Sequence, residues 1–488
     1  MRYFTMKQSI KLLLVLLLTF FMATGCEDYL DINTDPNNPT SAPIEGLMYQ
    51  TTFETTRNTN RVGGTTSFFV QHLASPNQAT GTDIHDAISY GTAWSQLYFN
   101  IGDLITLIEQ AEEIGAPHYT GPAKVMKAYN LGLLVNMFGD VPYSDAFNPE
   151  TLQPVYDSSE SIYQAIRSTL SEAIAEMGAA QSAAVPGSDD MIFGGDLAAW
   201  TRTAYALRAR YLNHYSKLPS YDPAAVLSAV DNAFASNAED FEMAFFTGEG
   251  NAAENPWYRT AVNNAGLLLG GWLSSQTIDH LNGETYGVFD PRIERITVPV
   301  ANEDHPRFGE YYGTRNGAGR GGDPEQGVRA VLVPGSQFYY AAGPTQPLGM
   351  STFAEMKFIE AEAALAQGNT GRAYQAYEDG IRAHMEKMGI DQEAIDAYWS
   401  EPSVSVGAAN LTIDEIMKEK YIAMFLNPEA WNDARRYDYQ YAGFQAPANS
   451  ALGGQMIRLV RYPDSELQRN ESNVPTRTML DRVFWDAP

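Results

Sequence analysis

Side chains suited to recognising a ligand crowd into one stretch of the 488-residue sequence. Between residues 255 and 345 stand Trp257, Tyr258, Asn263, Asn264, Trp272, Tyr311, Tyr312 and Arg315, interleaved with glycine and proline. Flat rings cover the C–H faces of pyranoses, and Asn and Arg meet the hydroxyls around them, so this mixture suits an oligosaccharide. A peptide ligand would lean more on backbone hydrogen bonds and apolar pockets. Trp257, Tyr258 and Trp272 fall between Pro256 and the glycines 266, 270 and 271, outside any helical periodicity. Trp94 and Trp200 lie on periodic helix faces instead. The first three rings are therefore expected nearer the ligand, helped by the loop around His72, although a Trp is usually well buried. Tyr311, Tyr312 and Arg315 border a glycine-rich segment able to move over a bound oligomer.

Signals for catalysis are missing by comparison. The seven histidines are scattered, with no His-Glu-x-x-His pair for a metal, and no Gly-x-Ser-x-Gly elbow occurs. Gly317-Ala318-Gly319-Arg320-Gly321-Gly322 fits a dinucleotide fingerprint, but no apolar strand precedes it and Asp323-Pro324 follows, so it reads as a flexible loop. Asp31, Asn33, Asp35 and Asn37 alternate like calcium ligands. They lack the glycine and distal glutamate of an EF-hand, and a turn-rich linker is expected there. Glycoside hydrolysis needs two carboxylates about 5 to 9 Å apart; nothing singles out such a pair. The expectation is a binding protein without cofactor or metal, with a surface hydrolase as the alternative from another class.

Composition limits the partners. Lys and Arg number 32 against 59 Asp and Glu, for a formal net charge of −27. Such a surface repels nucleic acid and anionic membrane faces, and no basic run offsets it. The chain opens with Arg2, Lys7 and Lys11, then an apolar run from Leu12 to Met22 broken only by Thr19. That is the pattern of a signal peptide over residues 1–25. The run is about half the roughly 20 residues that span a bilayer. Ala23-Thr24-Gly25 before Cys26 resembles a bacterial lipobox, with Ala23 where Leu is usual. The resemblance implies cleavage before Cys26 and lipidation of its sulfur. Glu27-Asp28 resembles the signal that sends lipoproteins to the outer face of the outer membrane. Cys26 is the only cysteine, so no internal disulfide and no Cys-based metal site can form.

The elements that must carry these residues are mostly helices. Residues 26–45 read as a tether rich in Asx and Pro. Apolar residues then recur at three- and four-residue steps along 94–108, 125–138, 162–177 and 197–211, with further helices at 352–367, 371–388 and 412–426. Each buries one stripe, so they must stack on one another. Ala361, Ala373, Tyr377 and Gly380 have the small–small–aromatic–small spacing of a tetratricopeptide repeat, with Gly368-Asn369 at the turn. Two stretches break the pattern, about 219–350 and 397–411. The first is a long insertion, a natural place for function. Asp433 beside Arg435 and Arg436 is expected to form buried or interfacial ion pairs.

Several segments, in this order along the chain, resemble the SusD/RagB family of nutrient-binding outer-membrane lipoproteins, and specifically its second branch. They are Leu30-Asp31-Ile32-Asn33-Thr34-Asp35-Pro36-Asn37, Phe138-Gly139-Asp140-Val141-Pro142-Tyr143-Ser144-Asp145-Ala146, Tyr156-Asp157-Ser158, Asp290-Pro291-Arg292, the run from Glu355 to Gly380, Lys420-Tyr421, Trp431 to Arg436, and Arg461-Tyr462-Pro463. The resemblance implies a mainly α-helical fold over 46–488: four tetratricopeptide-like helix pairs forming a solenoid scaffold, covered by a less regular, loop-rich ligand-binding part. It also implies a SusC-type TonB-dependent β-barrel as partner, over which the lipoprotein sits like a lid, with oligosaccharides as ligands or, alternatively, peptides.

Overall fold

The computed structural model describes residues 42–247, 251–267, 270–321 and 328–488. The signal segment, Cys26 and the Asx-rich turn lie outside these residues, as does the side chain of Asn264.

The first helix, α1 (Ile44–Phe69), has no apolar periodicity to announce it. Its buried stripe is made of threonines: Thr51, Thr52, Thr55, Thr56 and Thr59 are all buried. Four of them return their hydroxyls to carbonyls one turn back, Thr51 to Leu47 at 2.7 Å, Thr52 to Met48 at 2.9 Å, Thr56 to Thr52 at 3.2 Å and Thr59 to Thr55 at 3.1 Å. A hydroxyl spent on its own helix leaves the methyl to pack, so these residues act as apolar ones.

The next four helices follow the periodicity: α2 (Gly91–Glu113), α3 (Pro117–Phe138), α4 (Ser159–Met177) and α5 (Leu197–Asn213). Each packs on the one before it, α2 on α3, α3 on α4, α4 on α5. The segment after α3 is a clasp. Gly139 stops the helix at φ +71°, and Asp140 caps α4 through Ser159 N–H at 2.7 Å. Val141-Pro142 (β1) pairs antiparallel with Tyr156-Asp157 (β2). The Asp157 carboxylate accepts from the backbone of Tyr143 and Ser144, each at 2.9 Å.

Residues 219–350 were expected to be irregular, and they hold more helix than that: α6 (Pro223–Val230), α7 (Pro256–Leu267) and α8 (Ser275–Leu281). Helix α11 (Gln392–Trp399) likewise runs into the second supposed break. Pro at the first helical position and short length hide α6 and α7 from a periodicity reading. Between these helices the covering layer is stitched by very short ladders. Leu73-Ala74 pairs with Trp272-Leu273, and Phe241–Met243 pairs with Leu348–Ser351.

Helices α9 (Phe353–Ala366) and α10 (Thr370–Lys387) form the expected repeat pair. A Thr352–Glu355 capping box starts α9. Ala361, Ala373 and Tyr377 are fully buried, and a Cβ on Gly380 would stand 3.0 Å from the Phe358 ring, so the small residue sets the close approach. Helix α9 also packs on α5, α6 and α12 (Ile413–Ala423), which leads into α13 (Glu429–Arg436) and, near the C-terminus, α14 (Asp464–Arg469).

Buried charge pins the helices together. Arg210 holds Glu355 through a two-pronged contact at 2.6 Å. Glu362 of α9 bonds Lys420 of α12 at 2.8 Å and Arg436 of α13 at 2.9 Å. Arg436 pairs with Asp433, as expected. Arg435 departs from that expectation: it gives its protons to the carbonyls of Arg458 and Asn136 and lies 3.8 Å over the Trp431 ring. Deep burial with no carboxylate in bonding contact lowers its pKa to about 10.

Candidate ligand-binding site

Three loops of the covering layer converge at one place. Gln71 turns the chain after α1 at φ +59°. Its carbonyl accepts from Thr277 and Tyr421, both at 3.0 Å, and its amide donates to the Gln445 carbonyl at 2.5 Å. Ser274 caps α8 and donates to Asn316 at 2.6 Å. The Asn316 amide donates to the Leu73 carbonyl at 2.8 Å and to Asp83 at 2.7 Å. Asp83 also accepts the Gly317 N–H at 2.7 Å. Gly317 must be glycine: it sits at φ +74°, and a Cβ there would fall 1.8 Å from the Ala448 carbonyl oxygen. Loops 71–83, 314–317 and 442–449 are thus tied into one rigid wall.

That wall encloses a cleft of about 190 Å³ lined by Gln71, Ser275, Gln276, Asp279, Thr285, Arg315, Asn316, Gly443, Gln445 and Ala446. Nearly every lining side chain carries a hydrogen-bonding group. Arg315 and Gln445 are exposed, while Gln276 is steadied by a 3.0 Å bond to the Ala442 carbonyl. Asp279 has its pKa raised to about 6, first by burial and then by the charge of Glu284, with Arg307 opposing. The arrangement can give protons to and accept them from several hydroxyls at once. Asp279 is the only carboxylate lining it among the described residues.

The expected site residues divide. Arg315 lines the cleft. Tyr311 and Tyr312 lead into it, half-buried: Tyr311 packs against Phe289 with ring centres 6.2 Å apart, and Tyr312 lies between the guanidiniums of Arg307 at 4.3 Å and Arg329 at 4.0 Å. The remaining rings do not come to it. Trp272 is 1% exposed, because its strand pairs with Leu73-Ala74 and bridges to Val331. Trp257 is 6% exposed and stands on α7 with its edge toward Gly64 of α1. Tyr258, half-buried, and Asn263, exposed, belong to the same helix.

His72 is fully buried and structural. Its Nδ1 accepts the Leu426 N–H at 3.1 Å, its Nε2 meets the Tyr421 carbonyl at 3.1 Å, and burial lowers its pKa to about 3. The expectation that an aperiodic ring is an exposed ring fails because these loops are a packed layer. Gln71, Gln276, Asp279 and Gln445 were not foreseen. Only Gln71, beside His72, had a local pointer; Gln445 lies in a Gly/Pro/Asn-rich turn region that periodicity passes over.

A larger cleft lies elsewhere, about 410 Å³ between Tyr221, Leu365, Ile413, Met417 and Tyr437. Its wall is largely apolar, and its buried charges, Glu362 and Arg436, are spent on each other.

The SusD-like family model of its second branch, described as starch-binding and associating with the outer membrane, matches residues 36–463. The chain belongs to this SusD-like family. The solved structures agree on the fold. A chitin-binding protein is 22% identical, with a TM-score of 0.74 over 91% of this chain and 100% of its own. A chitin-binding SusD homologue from Flavobacterium johnsoniae is 20% identical, with a TM-score of 0.75 over 91% and 98%. A SusD/RagB family protein from Bacteroides thetaiotaomicron is 21% identical, with a TM-score of 0.71 over 91% and 99%. No protein of curated function matches the sequence. Among the described residues of this SusD-like protein, no helix is long and apolar enough to cross a membrane.

The Asp290-Pro291-Arg292 motif read from sequence is scaffold in the structure. Asp290 caps the turn that follows it and pairs with Arg292, which also holds Glu419 of α12 at 2.6 Å.

Proposed function

We propose that this SusD-like protein captures neutral oligosaccharides in the polar cleft around Arg315 and Gln445 and passes them to a SusC-type TonB-dependent barrel. It is held on the outer face of the outer membrane by lipid on Cys26. The observation that carries this reading is the cleft itself: a rigid wall of amide, hydroxyl, carboxyl and guanidinium groups that can bond hydroxyls on several sides. The family's starch-binding description and the chitin-binding relatives support a glycan. The cleft supports binding over hydrolysis, because hydrolysis needs a second carboxylate across the bond and, among the described residues, Asp279 has none beside it in the lining. The apolar body of the 410 Å³ cleft, on the helix side, is suited to the docking surface rather than to a sugar.

The test is a glycan-array screen of the protein freed of its lipid, with starch and chitin oligomers in the panel and peptides as the other arm. Selective retention of a neutral glycan is expected. Retention of peptides alone sinks the glycan assignment. A mild-detergent pull-down is expected to recover a barrel of larger mass; recovery of the lipoprotein alone in several detergents removes the transporter from the account.

A further inference from the structure

A second concave site lies between α1 and α7 and shares no residue with the polar cleft. In a chain of net charge −27 it gathers three arginines. Arg57, Asn60 and Arg61 occupy one face of α1 by their three- and four-residue spacing. Arg259 faces them from α7, around a cavity of about 220 Å³ walled by Phe245 and Pro256.

Among the described residues, two carboxylates contact these three cations. Glu54 is shared by Arg61 at 2.7 Å and Arg57 at 3.5 Å, and Glu254 meets Arg259 at 3.2 Å. Donors are left over. A guanidinium carries five N–H groups. Arg61 spends one nitrogen, on Glu54 and Asn58, and Arg259 spends two, on Glu254 and Asn263. Arg57 donates no hydrogen bond among the described residues, and it rests 5.6 Å over the Phe53 ring. Exposed Arg–Glu pairs usually signify little. Here the pairs line a cavity, and the unused forks belong to the residue type whose planar geometry matches a carboxylate.

We propose that this cavity binds the carboxylate of a uronic acid carried by an acidic oligosaccharide. Arg57 and Arg259 grip the carboxylate, and Phe245 backs the sugar ring. The volume suits one charged ring, with the rest of the oligomer lying outside it, as in the polar cleft.

The probe is trigalacturonate, set against its trimethyl ester, titrated calorimetrically into the whole protein. The acid is expected to bind at least about tenfold tighter than the ester, with the preference fading as salt screens it. Arg57→Gln and Arg259→Gln are each expected to remove most of that preference. Arg57→Gln breaks no hydrogen bond and so leaves the fold intact. Arg315→Ala, in the polar cleft, is expected to leave the acid-to-ester ratio unchanged, which separates this site from the neutral-glycan reading. Equal affinity for acid and ester, no binding of either, or a preference that survives both arginine variants would overturn the proposal.

Discussion

Asp279 is the residue of the polar cleft whose charge changes nearest neutral pH. Burial and then Glu284 raise its pKa to about 6. Ionised, it accepts from two hydroxyls; protonated, it loses acceptor capacity. Affinity for a neutral oligosaccharide is therefore expected to fall as pH drops through about 6, and Asp279→Asn is expected to flatten that dependence. Titrations at pH near 7.5 and near 5 read it directly; an unchanged profile in the variant removes Asp279 from the site. Trp272 illustrates the opposite case. At 1% exposure, with its strand paired to Leu73-Ala74, Trp272→Ala is expected to cost about 3–5 kcal/mol of stability by urea unfolding. Binding per folded molecule should hold. Sequence could tell that Trp272 was a large ring outside a helix, but its burial depends on pairing with Ala74, about two hundred positions away.

At the scale of elements, sequence reading succeeded where a stripe was apolar and failed where it was not. Helices α2 to α5 and the α9–α10 pair were legible because Leu, Ile and aromatic residues recur at helical steps, and Gly380 stands where the repeat demands a small residue. Helix α1 was hidden by its threonines. One of them does more than fill space: Thr55 Oγ1 accepts from Asn100 of α2 at 3.0 Å and from Asn130 of α3 at 2.9 Å. Thr55→Val strands the Asn100 amide, takes one of two acceptors from the Asn130 amide, and is expected to destabilise by about 1–3 kcal/mol. Thr52→Val loses only bonds back to its own helix and should change stability by less than about 1 kcal/mol. Equal effects in a denaturant titration would mean that α1 is not clasped through Thr55. The candidate site was legible only at Arg315, since the cleft is assembled from three loops with no shared periodicity.

For the whole molecule, buried acids make stability depend on pH in two opposed ways. Burial raises the carboxyls of Asp83, Asp240 and Asp279 to about 6, above their usual 3.8, so each contributes stability at low pH that is lost as pH rises through 6. Burial also works to raise Glu362, Glu419 and Glu429, but their cationic neighbours outweigh it and hold them at about 2. Those neighbours are Arg436 and Lys420 at Glu362, Arg292 at Glu419, and His214 and Arg210 at Glu429. The stability these three contribute is present above about 4.5 and lost as pH falls toward 2. Burial also lowers the imidazoles of His72, His85 and His280 to about 3, so they cost stability below about 6.5 and oppose the three aspartates. The melting temperature is therefore expected to fall most steeply as pH drops from about 4.5 toward 3, where the glutamates and histidines act together; an unchanged melting temperature over that range would contradict the pairing of the three glutamates. Anchoring is a separate property of the whole chain: Cys26→Ala is expected to release the protein in soluble form, and its retention in the outer-membrane fraction would refute the lipid anchor.

The most direct test of the central claim is a calorimetric titration of the soluble protein with its best neutral oligosaccharide, repeated on the Arg315→Ala/Gln445→Ala double variant. Both side chains are exposed and the bond from Gln71 goes to the Gln445 backbone, so the fold should persist, with circular dichroism as the check. Hydrogen bonds of this kind contribute about 1 kcal/mol each, more when charged. The account predicts a loss of at least tenfold in affinity with an unchanged spectrum. A double variant that folds and binds as tightly as the parent would place the oligosaccharide somewhere other than this cleft.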